Sequence, residues 1–269
     1  MLDSLSIRDH MKTETTQAGP VISVRGLGLT FGRTDVLQDV SFDLVQGEVT
    51  CLLGAFGSGK SMLLRCLNRT AEELPRAKQT GTVFLRDRDV MDPTWDLPLI
   101  RRTVALIPEV HNPFPMSTWD NLAYVLRLHR LAKAKADQEP LIEAALRRVG
   151  IWDDVKDRLH HAPVHRMEPM MQRLICIARA LMLEPQILLL DEPSSGTDCI
   201  DLHRLDALLA DLKRDMSVVL STPSLKVAAN VSDRAAHLDG GRVLELDATE
   251  LVLTNAQNPT TKAFVEAHC

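Results

Sequence analysis

No stretch of this 269-residue chain reaches eighteen consecutive apolar residues, so no membrane-spanning helix is expected. Aromatic residues are scarce, at 4%, although 45% of the chain is apolar. Any core must therefore be aliphatic, built from Leu, Val, Ile and Ala. Cysteine is sparse and badly placed for cross-linking. Cys51, Cys66, Cys176, Cys199 and Cys269 are odd in number, scattered, and form no C-x-x-C pair. That argues against a disulfide framework or a zinc site and favours a reducing, cytoplasmic setting. There is no basic excess: the net charge is −5, so no broad positive surface points to nucleic acid. The opening segment, MLDSLSIRDHMKTETTQAGP, lacks an apolar h-region, so no secretory signal is expected there. Residues 1–20 read as a polar tail. Internal repeats and low-complexity tracts are also missing.

From Val21 onward the pattern is regular. VISVRGLGLTF and VSFDLV read as strands, and EVTCLL (Glu48–Leu53) as a short apolar strand running into glycine. SMLLRCLNR opens a helix, and TVFLR and TVALIP are strands again. Residues 118–150 carry helical periodicity that stops at a glycine. QILLLD (Gln186–Asp191) is an apolar strand of the buried parallel type, and MSVVLS is another buried strand. Between them DLHRLDALLADLKRD is amphipathic, with Leu202, Leu205, Leu208, Leu209 and Leu212 on one face. GRVLEL is a late strand, and the chain ends in a polar helix. Strands alternating with helices predict an α/β fold with a parallel sheet covered on both faces. Residues 21–266 form the expected domain, with a helical lobe inserted at about 112–175.

Two segments carry chemistry. GAFGSGKS fits G-x-x-x-x-G-K-[ST], and it follows a strand and opens a helix, as a P-loop must. In that motif the backbone N–H groups of Gly54, Ala55, Phe56, Gly57, Ser58 and Gly59 wrap a polyphosphate at the helix N-terminus. Lys60 reaches the β- and γ-phosphates and Ser61 ligates Mg²⁺. The second segment, ILLLDEP, delivers Asp191 and Glu192 at the carboxyl end of a strand, where open α/β sheets bind ligands. Asp191 is placed to hold Mg²⁺ and Glu192 to polarise an attacking water. An Asp-Glu pair alone could equally cap a strand; the P-loop tips the reading towards the site.

The P-loop and ILLLDEP lie about 130 residues apart with a helical stretch between them, and this arrangement resembles an ABC transporter ATPase. PFPMSTWDNLAYVLRLH (Pro113–His129), IWDDVKDRLH, RLICIARAL and DATELVLTNAQNPTTKAFVE further resemble the ATP-binding subunit of the bacterial phosphate importer. The resemblance implies a P-loop NTPase core of RecA type with an antiparallel β subdomain and a helical lobe. It implies ATP and Mg²⁺ as cofactors. It also implies membrane permease subunits as partners, a head-to-tail dimer, and a place on the inner face of the cell membrane. Phe31, in LTFG, matches an aromatic that stacks on adenine; an ordinary core Phe is the other reading. Met62 stands beside the α-phosphate, where the family has threonine. Glu109, in LIPEV, stands where the family has a glutamine that senses Mg²⁺ and water, and its carboxylate can still ligate the metal. Asp198 matches a loop facing the partner subunit, or caps a helix.

Other positions depart from the family. The signature Leu-Ser-Gly-Gly-Gln is missing, and HRMEPMMQRLICIAR runs in its place. Counting from one side puts the signature at Arg166–Met170, and from the other at Met167–Met171. Either count sets Pro169, which has no N–H, at a glycine position. Pro223, in STPS, stands at the switch histidine and cannot donate a hydrogen bond. His160, His161 and His165 suggest a solvated turn more than a metal site, and His111 a loop residue. Two readings follow. One is an active ATPase subunit powering phosphate import. The other is a nucleotide-binding regulatory or pairing subunit that dimerises with an intact paralogue. A GTPase is disfavoured because no Asn-Lys-x-Asp motif is present.

Overall fold

The structure, a computed structural model, describes residues 19–161, 163–194 and 199–268, with side chains left out for 199–202. Asp198, the side chain of Leu202 and most of the N-terminal tail lie outside the described residues. The strands are β1 (Ile22–Phe31), β2 (Thr34–Leu44), β3 (Val49–Leu53), β4 (Ala77–Leu85), β5 (Arg88–Asp89), β6 (Val104–Ile107), β7 (Ile187–Leu190), β8 (Ser217–Thr222), β9 (Arg234–Asp239) and β10 (Arg242–Ala248). The helices are α1 (Lys60–Leu67), α2 (Leu97–Thr103), α3 (Thr118–Leu128), α4 (Lys135–Arg148), α5 (Trp152–Val155), α6 (Pro169–Leu181), α7 (Cys199–Leu212), α8 (Leu225–Val231), α9 (Thr249–Thr254) and α10 (Pro259–His268).

The strands form two sheets. One is antiparallel, in the order β2-β1-β4-β5, and the other follows β10-β9-β3-β8-β7-β6. In the second, β9, β3, β8, β7 and β6 run parallel and only β10 is antiparallel, joined to β9 through Gly240 and Gly241. Both glycines take positive φ, 53° and 76°, which suits a tight hairpin turn. This is the α/β arrangement expected from the sequence.

Period-two alternation explains why β3, β7 and β8 are buried throughout. Successive residues point to opposite faces, and both faces are covered. Cys51, Leu53, Leu188, Leu190, Val218 and Leu220 enter one core, shared with α3, α4, α6 and α7. Leu52, Leu189 and Val219 enter the other, shared with α1 and the antiparallel sheet. The sheet's carboxyl edge is thereby held rigidly between two aliphatic cores.

Besides α2, α8 and β5, which the sequence pattern did not announce, three elements differ from the sequence-based expectation. The periodicity over 118–150 breaks into α3 and α4, because Arg130 adopts φ 57° and the Gln138 amide donates to the carbonyls of Ala132 and Lys133. The polar C-terminal helix is two helices, α9 and α10. Strand β9 went unpredicted, since RAAHLD shows little alternation; pairing with β3 on one side and β10 on the other makes it a strand.

Candidate functional site

The P-loop spans the turn from β3 to α1. Gly54 has φ 153°, and a Cβ built there would stand 2.2 Å from the Leu238 carbonyl oxygen. Gly59 has φ 106°, and a Cβ there would meet Leu37 at 2.9 Å. The loop is closed by Ser58 N–H donating to the Ala55 carbonyl at 3.3 Å and tied to the β-hairpin by Gly241 N–H donating to Ser58 O at 3.1 Å. Lys60 is 3% exposed. Its ammonium donates to the carbonyls of Gly54 and Ala55 at 2.8 and 2.9 Å and lies 3.7 Å from Glu192. Burial pulls the Lys60 pKa down, against the upward pull of Glu192 and Asp191.

Asp191 and Glu192 follow β7 and reach this loop from across the sheet. Ser61 Oγ donates to Asp191 Oδ1 at 2.9 Å, and Ser221 Oγ, at the end of β8, donates to the same oxygen at 2.7 Å. The Glu192 N–H donates in turn to Ser221 Oγ at 2.9 Å. Glu192 holds φ 45°, a strained value for a non-glycine residue. Arg173, buried on α6, donates to the Pro193 carbonyl and so fastens the next residue of the turn. Burial pushes the Glu192 carboxyl above its usual range; Lys60 opposes this, while Glu109 and Asp191 add to it. Ser221 and Arg173 were missed by sequence reasoning. A serine near a strand end and an arginine in a helix carry no local signal.

The other sequence-predicted residues divide. Glu109 lies exposed just beyond β6 and within electrostatic range of Glu192. Phe31 and Met62 are half-buried and both pack against the core under the antiparallel sheet. Phe56 is 77% exposed, with Lys60 Nζ 5.9 Å from its ring centroid. Pro223 sits directly after β8, and Ser224 caps α8 by accepting from Val227 N–H at 3.3 Å. In the signature region Pro169 occupies the first turn of α6, and both Glu168 and Pro169 are exposed. Met170 is buried in the core, and Met167 and Met171 are partly buried against the same core. His160, His161 and His165 are exposed, and His160 lies against Trp119 at 4.9 Å. No cluster of three or more His, Cys, Asp or Glu arranged as a metal site occurs among the described residues.

The PFPMS segment is pinned by Asn121, whose amide donates to the carbonyls of Phe114, Met116 and Ser117 and accepts from Phe114 N–H. The helix cap is Ser117, which accepts from Asp120 N–H and donates to the Asp120 carboxylate. Asp120 thus completes the cap that Ser117 begins. Phe114 packs edge-on against Tyr124 at 5.2 Å with the Arg179 guanidinium over its ring. Tyr124 and Leu128, one helical turn apart, are 40% and 59% exposed.

The residues present fit a magnesium polyphosphate. Ser58 Oγ is buried without a hydrogen-bond partner beside a loop whose glycines admit close approach. Ser61 and Asp191 converge as hard oxygen donors, the type Mg²⁺ selects. A profile of the ABC transporter family matches residues 37–195. Among solved structures, cbiO1 from Clostridium perfringens, part of the ABC transporter complex cbiONQ, is similar at a TM-score of 0.73 and 20% identity. That likeness covers 88% of this chain and 92% of cbiO1. A bacterial Atm1-family ABC exporter with ATP bound matches at a TM-score of 0.75 and 20% identity, over 92% of this chain and 42% of the exporter chain. At this identity both show a shared fold.

Proposed function

This chain belongs to the ABC transporter family, and we propose that it is the ATP-binding subunit of an importer, binding ATP and Mg²⁺ and turning ATP over slowly. The observation that carries the reading is the convergence of Lys60, Ser61, Asp191 and Glu192 at one end of the parallel sheet. In this reading the loop from Gly54 to Ser61 holds the phosphates and Lys60 turns to their β and γ oxygens. Ser61 and Asp191 hold the metal, with Glu109 at the edge. Bound Mg²⁺ neutralises charge on the phosphate oxygens. Glu192 orients the water, and Phe31 and Met62 flank the nucleoside and α-phosphate.

Slow turnover follows from two prolines. At residue 169 an N–H donor to a γ-phosphate is replaced by a ring, and at residue 223 a side-chain donor is replaced likewise. Removing one such donor typically lowers the rate by ~10²–10³. We assign phosphate as the solute on the resemblance carried by Pro113–His129, and a place on the cytoplasmic face of the membrane beside permease subunits. Among the described residues no helix is long and apolar enough to cross a membrane, which fits a channel made by other chains. The exposed Glu168 and Pro169 favour a second form of the same reading, in which an intact paralogue supplies the signature for this chain's site.

Equilibrium binding of a fluorescent ATP analogue, paired with steady-state hydrolysis, tests this. We expect measurable Mg²⁺-dependent binding and slow turnover. Absent binding would overturn the reading. Turnover matching an intact importer ATPase, and abolished by Glu192→Gln, would overturn only the impairment.

A further inference from the structure

We propose that Ser221 is a positioning residue that locks the metal-holding carboxylate of Asp191 to the backbone of Glu192, and so sets how strongly Mg²⁺ supports ATP binding. The inference rests on the reading of Asp191 as a metal ligand. Ser221 is fully buried at the end of β8. Parallel pairing of β7 with β8, with Leu190 opposite Leu220, brings it beside Asp191. Its one hydroxyl has its direction dictated by its neighbours. The Glu192 N–H can only donate, so Ser221 Oγ accepts there at 2.9 Å. The serine proton is then committed to Asp191 Oδ1 at 2.7 Å. Ser61 donates to the same oxygen at 2.9 Å. The two donors approach from α1 and from β8 and fix the carboxylate's rotation. The turn at Glu192 is strained, with φ 45°, and a strained turn persists only when its surroundings over-determine it. Ser221 holds its N–H from one side while Arg173 holds the Pro193 carbonyl from the other. Without the hydroxyl, a buried N–H is orphaned and the carboxylate is free to turn.

The test is a matched pair, Ser221→Thr and Ser221→Val, nearly equal in volume and both suited to a strand. ATP-analogue binding is titrated against Mg²⁺, and repeated in EDTA. We expect Ser221→Thr to follow the wild type. Ser221→Val should need about tenfold to a hundredfold more Mg²⁺ for its half-maximal effect, the scale of a lost hydrogen bond to a charged group. Its binding in EDTA should stay within about twofold of wild type. If the two variants respond to Mg²⁺ alike, or if Ser221→Val loses affinity equally with and without Mg²⁺, the positioning role is overturned. If wild-type binding ignores Mg²⁺ altogether, the reading of Asp191 falls first and the inference with it. Should Ser221→Val fail to fold, Ser221→Ala and Ser221→Cys replace it in the same comparison.

Discussion

Lys60 Nζ lies 3.7 Å from Glu192 Oε1, with both side chains nearly excluded from solvent at 3% and 8% exposure. Each charge compensates the other's burial, so the ammonium is shared between a carboxylate and two loop carbonyls. A phosphate must compete with these partners for it. Glu192→Gln removes the charged competitor and keeps the shape, so this variant should bind ATP at least as tightly as wild type while losing hydrolysis. Lys60→Ala should abolish detectable binding. Fluorescent-analogue titrations of both variants decide it; a Glu192→Gln affinity more than about tenfold weaker would show that the carboxylate supports binding instead.

Gly54 is the loop position with the least room. An added methyl would press into the Leu238 carbonyl at 2.2 Å and approach Ser58 Oγ at 3.0 Å, at a φ of 153°. Gly54→Ala should destabilise the fold by about 1–3 kcal/mol, the usual cost of forced backbone strain. It should also weaken ATP binding, because the loop must shift away from β9. Urea denaturation together with nucleotide titration checks this. A variant with the wild-type midpoint and affinity would mean that the loop relaxes freely.

These sites differ in how far the sequence alone discloses them. The P-loop is legible because its chemistry is local: glycines, lysine and serine at fixed spacing between a strand and a helix. Asp191 and Glu192 are legible because a wholly apolar strand delivers them. Ser221 and Arg173 are not, because only the pairing of β7 with β8 and the packing of α6 bring them to that turn. The break between α3 and α4 was hidden for another reason. Arg130 takes a left-handed conformation without a glycine to mark it. Strand β9 exists through its neighbours, and no periodicity announces it.

If permease subunits are partners, as the resemblance implies, α3 within Pro113–His129 offers a surface for them. Phe114 and Met116 are half-buried and tied down through Asn121. Tyr124 and Leu128 are the exposed apolar pair. Exposed apolar side chains paired on one helix face can receive a partner's anchor residues. Leu128→Glu should leave stability within about 0.5 kcal/mol, as exposed substitutions do, while Tyr124→Glu also gives up the ring contact with Phe114 and should cost about 0.5–1.5 kcal/mol. They should also leave ATP binding intact and remove co-purification with the permease. Unchanged co-purification would leave the segment as lobe packing alone.

The buried histidine His237 predicts a pH dependence of stability. It lies on β9, 1% exposed, with Nδ1 2.9 Å from Thr261 Oγ1 and its ring stacked on Phe264 at 4.7 Å. Through these contacts it docks α10 onto the strand that pairs with β3 at the foot of the P-loop. Burial holds its pKa below the ordinary 6.5, against the upward pull of Asp239 and Glu245. The unfolded chain therefore takes up the proton first as pH falls. Stability is fully present above about pH 6.5 and declines as pH drops from there towards the folded value, by at most about 1.4 kcal/mol per pH unit for this residue. His111 and His129 are shifted the same way and add to the decline, while the raised carboxyl of Glu192 tilts the curve in the opposite sense. Comparison with His237→Gln, which keeps a hydrogen-bonding group towards Thr261 but cannot titrate, separates the contributions. Urea unfolding between about pH 5 and 8 should give a wild-type curve that falls more steeply than the variant's below about 6.5. Parallel curves would mean that His237 binds protons equally in the folded and unfolded states.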